Sequence, residues 1–309
     1  MTLLCFDEVF LRHDTGNHPE NVKRLSATTK HLTEKQLDTH CESPEWKPAT
    51  VDQLARVHEQ DYIETVRKYA ADGGGRIEAD TVVSEDSFSA AATASGAVIH
   101  CVESVVAGKD TNALCLVRPP GHHARPANPM GFCLFNHIAV GARHATEALN
   151  LDRVLVIDWD VHHGNGTQES FYHDEQIGFL SVHRWPFYPG TGTAEETGSG
   201  GGLGTTHNVP IAFGTTRDRY AEKFKTAVET IAKKVKPQLI LLSAGFDAHR
   251  QDPVGSLGLE VEDFTWMTKF VRDTADEYCG GKLVSMLEGG YNIEVLPLCV
   301  ETHLCELLR

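Results

Sequence analysis

Polar and titratable side chains follow directly after several short apolar runs in this chain of 309 residues. The densest set is Asp158-Trp-Asp-Val-His162, which follows the apolar run 154–157. In an extended segment alternate side chains point to the same side, so two carboxylates and one imidazole would face together. Oxygen and imidazole ligands suit Zn²⁺ or Fe²⁺, and a third carboxylate from Asp247 would leave one coordination position for water. The competing interpretation is a buried polar network, or a set of helix caps, without a metal.

Two further groups of residues could transfer protons or stabilise a developing charge. His122 and His123 are adjacent, and an imidazole titrates near neutral pH, so such a pair beside a metal favours proton transfer. Tyr291 follows Gly289 and Gly290, and its phenol could donate a hydrogen bond to an oxyanion. Each of these residues, taken alone, is also compatible with an ordinary core position.

Short apolar runs alternate with longer amphipathic stretches along the chain. The short runs lack in-and-out alternation, which is typical of strands buried on both faces of a parallel sheet. These runs are Leu3–Phe6, Ala113–Val117, Val154–Ile157, Ile177–Val182, Leu239–Leu242 and Leu283–Leu287. The longer stretches predict helices at Ser84–Val106, Leu134–Leu149, Arg217–Val235 and Val261–Tyr278. This order predicts a single α/β domain over residues 1–309, with the polar residues gathered at the carboxyl ends of the strands.

Composition and charge exclude several classes of protein. The chain has 28 basic and 43 acidic residues, a formal net charge of −15, so direct binding to nucleic acid is not expected. No apolar run approaches the ~20 residues of a membrane span, and the acidic start at Asp7 and Glu8 argues against a signal peptide. We therefore expect a cytoplasmic protein with no membrane partner. The eight cysteines form no Cys-x-x-Cys pair, which favours reduced thiols over a zinc site built from thiolates.

Taken together, the motifs resemble the histone deacetylase family of the arginase–deacetylase superfamily. The resemblance extends over nearly the whole chain and depends on these segments: His18–Glu20, Arg24–Leu25, Pro119–Ala124, Gly131–Cys133, Asp158–Gln168, Tyr188–Gly192, Ser243–His249, Asp252–Pro253 and Glu288–Tyr291. Asn165, where other members carry Asp, is similar to the class II and bacterial amidohydrolase branch. The resemblance implies a single-domain arginase/deacetylase fold, with a central parallel sheet of eight strands flanked by helices.

The resemblance implies one catalytic metal ion and one structural ion. The expected ligands of the catalytic zinc, for which Fe²⁺ is a possible substitute, are Asp160, His162 and Asp247. Potassium is implied nearby, bound by Asp158, the hydroxyl of Ser181 and main-chain carbonyl groups. Carbonyl ligands leave no residue signature, so only the resemblance indicates the potassium site.

The resemblance also implies catalytic and substrate-binding roles. The expected catalytic residues are the general base His123, its electrostatic neighbour His122, the carbonyl-polarising donor Tyr291, and Asp158 and Asn165 behind the two histidines. The neutral amide of Asn165 should raise the basicity of His123 less than a carboxylate would. The expected substrate contacts are Gly131, the aromatic tunnel walls Phe132 and Tyr188, and the rim carboxylate Asp80.

The implied function is zinc-dependent hydrolysis of the N-acetyl amide on lysine side chains of peptides or proteins, with release of acetate. Acetylated polyamines are the alternative substrate, but polyamine-selective relatives carry an acid just after the Asp252-Pro253 motif, where this chain has Val254. An arginase-like ureohydrolase with two metals is more remote, because Asp247-Ala-His249 offers no second carboxylate. A non-catalytic acyl-lysine binder is also remote, because Tyr291 and all three metal ligands are present.

Overall fold

One parallel β-sheet forms the centre of the fold in the computed structural model, which describes residues 1–309. Its strands are β1 (Thr2–Cys5), β4 (Asn112–Cys115), β5 (Val154–Asp158), β6 (Ile177–Arg184), β7 (Thr206–Ile211), β8 (Leu239–Ala244) and β9 (Leu283–Leu287). Their order across the sheet is β1-β4-β9-β8-β5-β6-β7, and every neighbouring pair is parallel. A separate antiparallel pair is formed by β2 (Gly75–Arg76) and β3 (Val82–Val83). The predicted α/β class with a parallel sheet is confirmed.

The expected number of eight strands is wrong, because the sheet has seven. The short strands β2 and β3 pair only with each other and add nothing to the sheet. The strand β7 was not predicted, since Thr206, His207 and Asn208 are polar and Pro210 cannot donate a backbone hydrogen bond. It pairs only with β6 at the sheet edge, where a proline is tolerated.

Helices cover the sheet. They are α1 (Val22–Glu34), α2 (Val51–Leu54), α3 (Gln60–Ala71), α4 (Ser87–Val106), α5 (His137–Glu147), α6 (Asn165–Phe171), α7 (Arg217–Val235), α8 (Val261–Cys279) and α9 (Leu296–Leu307). Every residue of β5, β8 and β9 is buried. Because successive strand residues point to opposite faces, both faces of the sheet are covered. The predicted helices at 217–235 and 261–278 match α7 and α8 closely.

Helix α4 is long and apolar enough, by length and composition, to cross a bilayer, contrary to the expectation that no segment would qualify. In the structure 72% of its most apolar window is buried inside the protein. It contacts α5 and the strands β4 and β9, and its alanines allow this close approach. Its hydrophobicity is therefore that of a core helix.

All eight cysteines are free thiols. Three of them meet in the core, with Cys101 Sγ 3.3 Å from Cys5 Sγ and 3.6 Å from Cys115 Sγ. The sequence did not indicate this cluster, because the three residues are far apart in the chain. They are completely buried among apolar side chains and have no fourth ligand. The thiols thus pack as small apolar groups.

Candidate active site

The three predicted metal ligands meet at the carboxyl end of the sheet. Asp160 and His162 follow β5, Asp247 follows β8, and these two strands are neighbours in register. His162 Nδ1 lies 3.0 Å from Asp160 Oδ1 and 3.2 Å from Asp247 Oδ2. One ligand atom from each residue falls within 4.8 Å of the other two, and all three side chains are buried. Two carboxylates and one imidazole therefore face one point, as the sequence predicted.

The state of these carboxylates fits a bound cation. Asp247 Oδ2 is buried and makes no well-aligned hydrogen bond, although His162 Nδ1 lies 3.2 Å away, which is rare for a buried carboxylate oxygen. Burial and the nearby charge of Asp160 raise the pKa of Asp247 to about 7. A divalent cation between Asp160 and Asp247 would supply the missing partner. It would also offset the cost of burying the Asp247 carboxylate and the repulsion between the two carboxylates. The oxygen and nitrogen donor set suits Zn²⁺ or Fe²⁺.

Bare backbone closes one side of the ligand set. Gly289 N donates to Asp160 Oδ2 at 2.8 Å, and Val161 N donates to Asp247 Oδ1 at 2.9 Å. A Cβ atom on Gly289 would lie 2.2 Å from Asp247 Oδ2 and 2.4 Å from Asp160 Oδ2. No side chain fits there, which explains a glycine at this strand end.

The two predicted histidines lie beside the metal ligands, with ring centroids 4.0 Å apart. His122 Nδ1 donates to Asp158 Oδ2 at 2.9 Å, and His123 Nδ1 donates to Asn165 Oδ1 at 2.7 Å. In this assignment of protons both Nε2 atoms are left for the site, and His122 Nε2 lies 3.8 Å from Asp160 Oδ1. The predicted pairing of each histidine with its partner is thus present.

The two histidines differ in charge. Burial opposes protonation of His122, but the charges of Asp158 and Asp160 outweigh it and raise its pKa to about 10. Burial and the charge of His122 together hold the pKa of His123 well below its usual value. At neutral pH His122 is therefore cationic and His123 is neutral. A divalent cation nearby would lower the pKa of both.

A cavity of about 210 Å³ lies against His123 and His162 and opens to the surface. We call it the tunnel, and its lining residues are Asp80, His123, Gly131, Phe132, His162, Phe187, Tyr188, Val254 and Tyr291. The rings of Phe132 and Tyr291 meet edge to face at 5.7 Å. Tyr188 is 37% exposed and marks the outer end. All four predicted substrate contacts and Tyr291 therefore line one passage.

The turn at Gly131 and Phe132 has a strained backbone. Both residues have left-handed φ values, 56° and 70°, and the second is costly for an aromatic residue. Gly131 N donates to Asp80 Oδ1 and Phe132 N donates to Thr81 Oγ1, both at 3.1 Å. A Cβ atom at position 131 would lie 2.3 Å from His123 Cδ2. The predicted rim carboxylate Asp80 thus holds the turn that carries the tunnel wall.

Several residues that support the site had no predicted role. Glu288 is fully buried, and its Oε2 accepts hydrogen bonds from Gly121 N at 2.7 Å and His122 N at 3.2 Å. Arg24 Nε donates to Gly290 O at 2.6 Å, and its guanidinium carbon lies 4.8 Å above the ring of Tyr291. These residues fall inside the quoted motifs, but their backbone contacts are invisible in a sequence.

Two further supports surround the tunnel mouth. Asp252 Oδ2 accepts from Tyr291 N at 2.6 Å, and Asp252 Oδ1 accepts from Val254 N at 2.9 Å. Phe187 stacks on His162, with ring centroids 5.3 Å apart and planes at 16°. The aromatic pair before Pro189 was a usable signal, but only Tyr188 was predicted as a wall.

The residues predicted for potassium are also neighbours. Asp158 and Ser181 are Cα partners on the adjacent strands β5 and β6. The Ser181 hydroxyl donates to His183 Nδ1 at 2.9 Å, because His183 Nε2 donates to Gly192 O. Both side chains are fully buried. The two residues are neighbours, and potassium binding at this place stays a prediction from the resemblance.

Comparison with known proteins gives consistent results. A family model described as "Histone deacetylase domain" matches residues 18–307. Histone deacetylase 10, chloroplastic, from Oryza sativa subsp. japonica is 40% identical over 93% of this chain and 69% of its own length. The histone deacetylase-like amidohydrolase of Pseudomonas aeruginosa is 35% identical over 96% of this chain and 83% of its own length. The crystal structure of the HDA15 HD domain matches with a TM-score of 0.94 and 36% identity, covering 99% of this chain and 88% of that one.

Proposed function

Because the chain belongs to the histone deacetylase family and is a hydrolase, we propose that it is a zinc-dependent deacetylase acting on acetyl-lysine in peptides or proteins. The observation that carries this proposal is one tunnel lined by His123, His162 and Tyr291, in which His162 also belongs to the cluster of predicted metal ligands with Asp160 and Asp247. The products would be acetate and a free lysine side chain. A cytoplasmic location stays a prediction from the sequence.

Asp160, His162 and Asp247 would hold the zinc ion. Bound zinc supplies Lewis acidity that polarises the scissile carbonyl and makes water reactive near neutral pH. Three protein ligands leave one coordination position of zinc free for water or substrate, which is the arrangement of catalytic zinc sites. The neighbouring pair Asp158 and Ser181 would hold structural potassium, a role that only the family resemblance suggests.

The protein's own groups would move the protons. His123 is neutral and lines the tunnel, and its Nδ1 is bonded to Asn165, so its Nε2 is left to accept a proton from the attacking water. His122, whose Nδ1 is bonded to Asp158, would in its protonated form favour the negative charge that develops. Tyr291 would donate its hydroxyl proton as a hydrogen bond to the developing oxyanion. The proton on His123 would then pass to the departing amine.

The shape of the tunnel favours an alkyl chain that ends in an amide. Phe132, Phe187 and Tyr188 supply aromatic walls for methylene groups. Val254 at the mouth offers no charge to hold a second amine. Asp80 accepts from Gly131 N and Thr81 Oγ1 through Oδ1, which leaves Oδ2 for a peptide N–H group. Acetyl-lysine therefore suits the mouth better than an acetylated polyamine.

The test compares kcat/KM for acetate release from acetyl-lysine peptides, N-acetylputrescine and N⁸-acetylspermidine, using protein with measured metal content. We expect one zinc per chain and a preference for the peptides. A preference for either polyamine would support the alternative substrate instead. Two tightly bound Mn²⁺ per chain with urea release, or no acetate from any substrate, would overturn the proposal.

A further inference from the structure

A second cavity, of about 480 Å³, lies beside the tunnel and is larger than it. We call it the side groove. The lining residues that matter to the argument are Arg125, Met130, Asn165, Glu169, Pro189 and Glu196. A cavity of this size is in the range of ligand-binding clefts. The proposed chemistry makes no use of it.

The side groove and the tunnel share a wall. Met130 directly precedes the tunnel residue Gly131, and Pro189 directly follows Tyr188 at the tunnel mouth. Asn165 lines the groove and also holds the tunnel residue His123. The backbone segments that form the tunnel wall therefore also form a wall of the groove, so a peptide that leaves the mouth on this side lies next to the groove.

The groove offers a hydrogen-bond donor that is poorly satisfied. Asn165 Oδ1 is engaged by His123, and Asn165 Nδ2 donates only to Met130 Sδ, at 3.3 Å. A thioether sulfur is a weak acceptor, and Asn165 is only partly buried. A ligand with an oxygen acceptor would replace that weak contact with a stronger one.

The acidic side chains of the groove are already occupied. Glu169 pairs with Arg125 through Oε2 to Nε at 2.5 Å, on the groove wall. Glu196 accepts from Gln168 Nε2 at 2.5 Å and from Thr193 N at 2.9 Å. A polyamine, which offers only donors, would find no free carboxylate. A peptide main chain offers carbonyl oxygens as well as N–H groups.

We infer that the side groove binds the main chain next to the acetyl-lysine, with one peptide carbonyl accepting a hydrogen bond from Asn165 Nδ2. This inference rests on the proposed function, since it assigns the substrate class of the same site. It makes Arg125, Met130 and Glu169 specificity residues that act outside the tunnel. It also couples the bound peptide to His123 through the side chain of Asn165.

The experiment fills the groove with Glu169→Trp and compares two substrates. One is an acetyl-lysine peptide of five residues, and the other is acetyl-lysine capped as a single residue. We expect the ratio of their kcat/KM values to fall about tenfold in the variant, through KM for the peptide. The matched control is Glu222→Trp, because Glu222 is also an exposed helical glutamate paired with an arginine, Arg219, at 2.7 Å. The control should keep the wild-type ratio.

A second variant, Arg125→Trp, fills the groove from the opposite wall in case Glu169→Trp fails to fold. An unchanged ratio in a folded variant, or equal losses for both substrates, would overturn the inference. Binding is read separately as fluorescence anisotropy of a labelled peptide that carries a methyl-ketone analogue of acetyl-lysine. If wild-type protein releases no acetate at all, the proposed function fails. The anisotropy of the zinc-loaded variants then still shows whether the groove binds the peptide. No binding of this peptide to wild-type protein would also overturn it.

Discussion

The residues at the base of the tunnel are held in the protonation states that their proposed roles need. Burial raises the pKa of Tyr291 well above its usual value, so the phenol stays a hydrogen-bond donor. Burial and the charge of His122 keep His123 neutral and able to accept a proton. The positive charge of Arg24 offsets part of this rise in the pKa of Tyr291, and the Arg24 guanidinium packs over the Tyr291 ring. Each group therefore depends on its packing as much as on its chemistry.

The first prediction concerns Tyr291→Phe. Loss of one oxyanion donor typically costs ~10²–10³ in kcat, or ~2.7–4 kcal/mol, and we expect that loss here. The variant should bind zinc like the wild type, because no ligand changes. Stopped assays of acetate release, with metal content measured on the same samples, check both points.

The control is Tyr69→Phe, because the Tyr69 hydroxyl donates only to Arg76 O, at 3.0 Å, outside the tunnel. This variant should keep wild-type turnover. Wild-type kcat in Tyr291→Phe would remove Tyr291 from the mechanism.

Individual residues were predictable where their side chains carry the chemistry. Asp160, His162 and Asp247 follow strand-like runs, and the structure brings them together. Glu288 and Asp252 were not assigned roles, because each acts by accepting hydrogen bonds from backbone N–H groups. Such contacts depend on the relative position of two loops, which residue types and spacing do not specify.

Among the loops around the mouth, the start of the one after β6 packs against an arginine. Arg184, the last residue of β6, lies between two aromatic rings, 4.0 Å from Phe187 and 4.4 Å from Phe213. Its Nη1 donates to Gly255 O at 3.0 Å, in the loop that carries Val254. One side chain thus joins a tunnel wall to the opposite lip of the mouth.

We predict that Arg184→Met raises KM for an acetyl-lysine peptide about tenfold and changes kcat little. The substitution removes a partly buried cation–π contact and a hydrogen bond, together ~1–2 kcal/mol, and frees both lips of the mouth. Steady-state kinetics on the zinc-loaded protein measure the two constants. Arg184→Lys keeps the charge but loses the planar stack, so it should recover only part of the loss.

Arg219→Met, at an exposed position of α7, is the control and should change neither constant. A fall in kcat with constant KM would instead place Arg184 in the chemical step.

Helices and strands were predictable where the spacing of apolar residues and the length of the segment both fit the same type of element. Helix α7 has buried residues at Tyr220, Phe224 and Ile231, spaced for one face, and its predicted bounds match the structure. Strand β7 contains polar residues and a proline and is only partly buried. Its sequence therefore lacks the apolar run that is typical of a buried strand. Its pairing with β6 is set by tertiary contact, which sequence pattern alone does not reveal.

Folding of the whole protein buries several histidines in the neutral state, although the chain carries a formal net charge of −15. His58 is one of them, and it lies against Tyr62 and Phe135. Its Nδ1 donates to Arg125 O at 3.0 Å, and its Nε2 accepts from Asn136 N at 2.8 Å. Burial lowers its pKa to about 4.

The pKa of His58 predicts a loss of stability in acid. Its folded value of about 4 lies below the ordinary 6.5, so between these pH values the unfolded chain binds more protons. The free energy of unfolding therefore falls as pH drops from 6.5 toward 4. Relative to His58→Gln, which does not titrate, the wild type should lose ~1.4 kcal/mol per pH unit in this window.

Urea unfolding of both proteins at several pH values measures this difference. A difference that stays constant with pH would contradict the buried neutral state of His58.

The general architecture and the family resemblance were accessible from the sequence, whereas the side groove was not. Met130 and Pro189 carry no reactive group, and Asn165 was assigned only to His123. A cavity arises from the space between loops, which residue types do not report. The tunnel was predictable because its walls belong to motifs with recognisable spacing.

The pairing of β5 with β8 has a consequence for how the protein would take up the proposed zinc ion. Asp160 and Asp247 follow strands that are neighbours in the sheet but distant along the chain. An unfolded chain holds these residues apart, so zinc would act by mass action as a ligand of the native state alone. Free zinc at 100 times its dissociation constant should then add ~2.7 kcal/mol to the free energy of unfolding. Melting temperature should rise with zinc concentration in the wild type and stay level in Asp247→Asn, and an equal rise in both would show that the ion binds elsewhere.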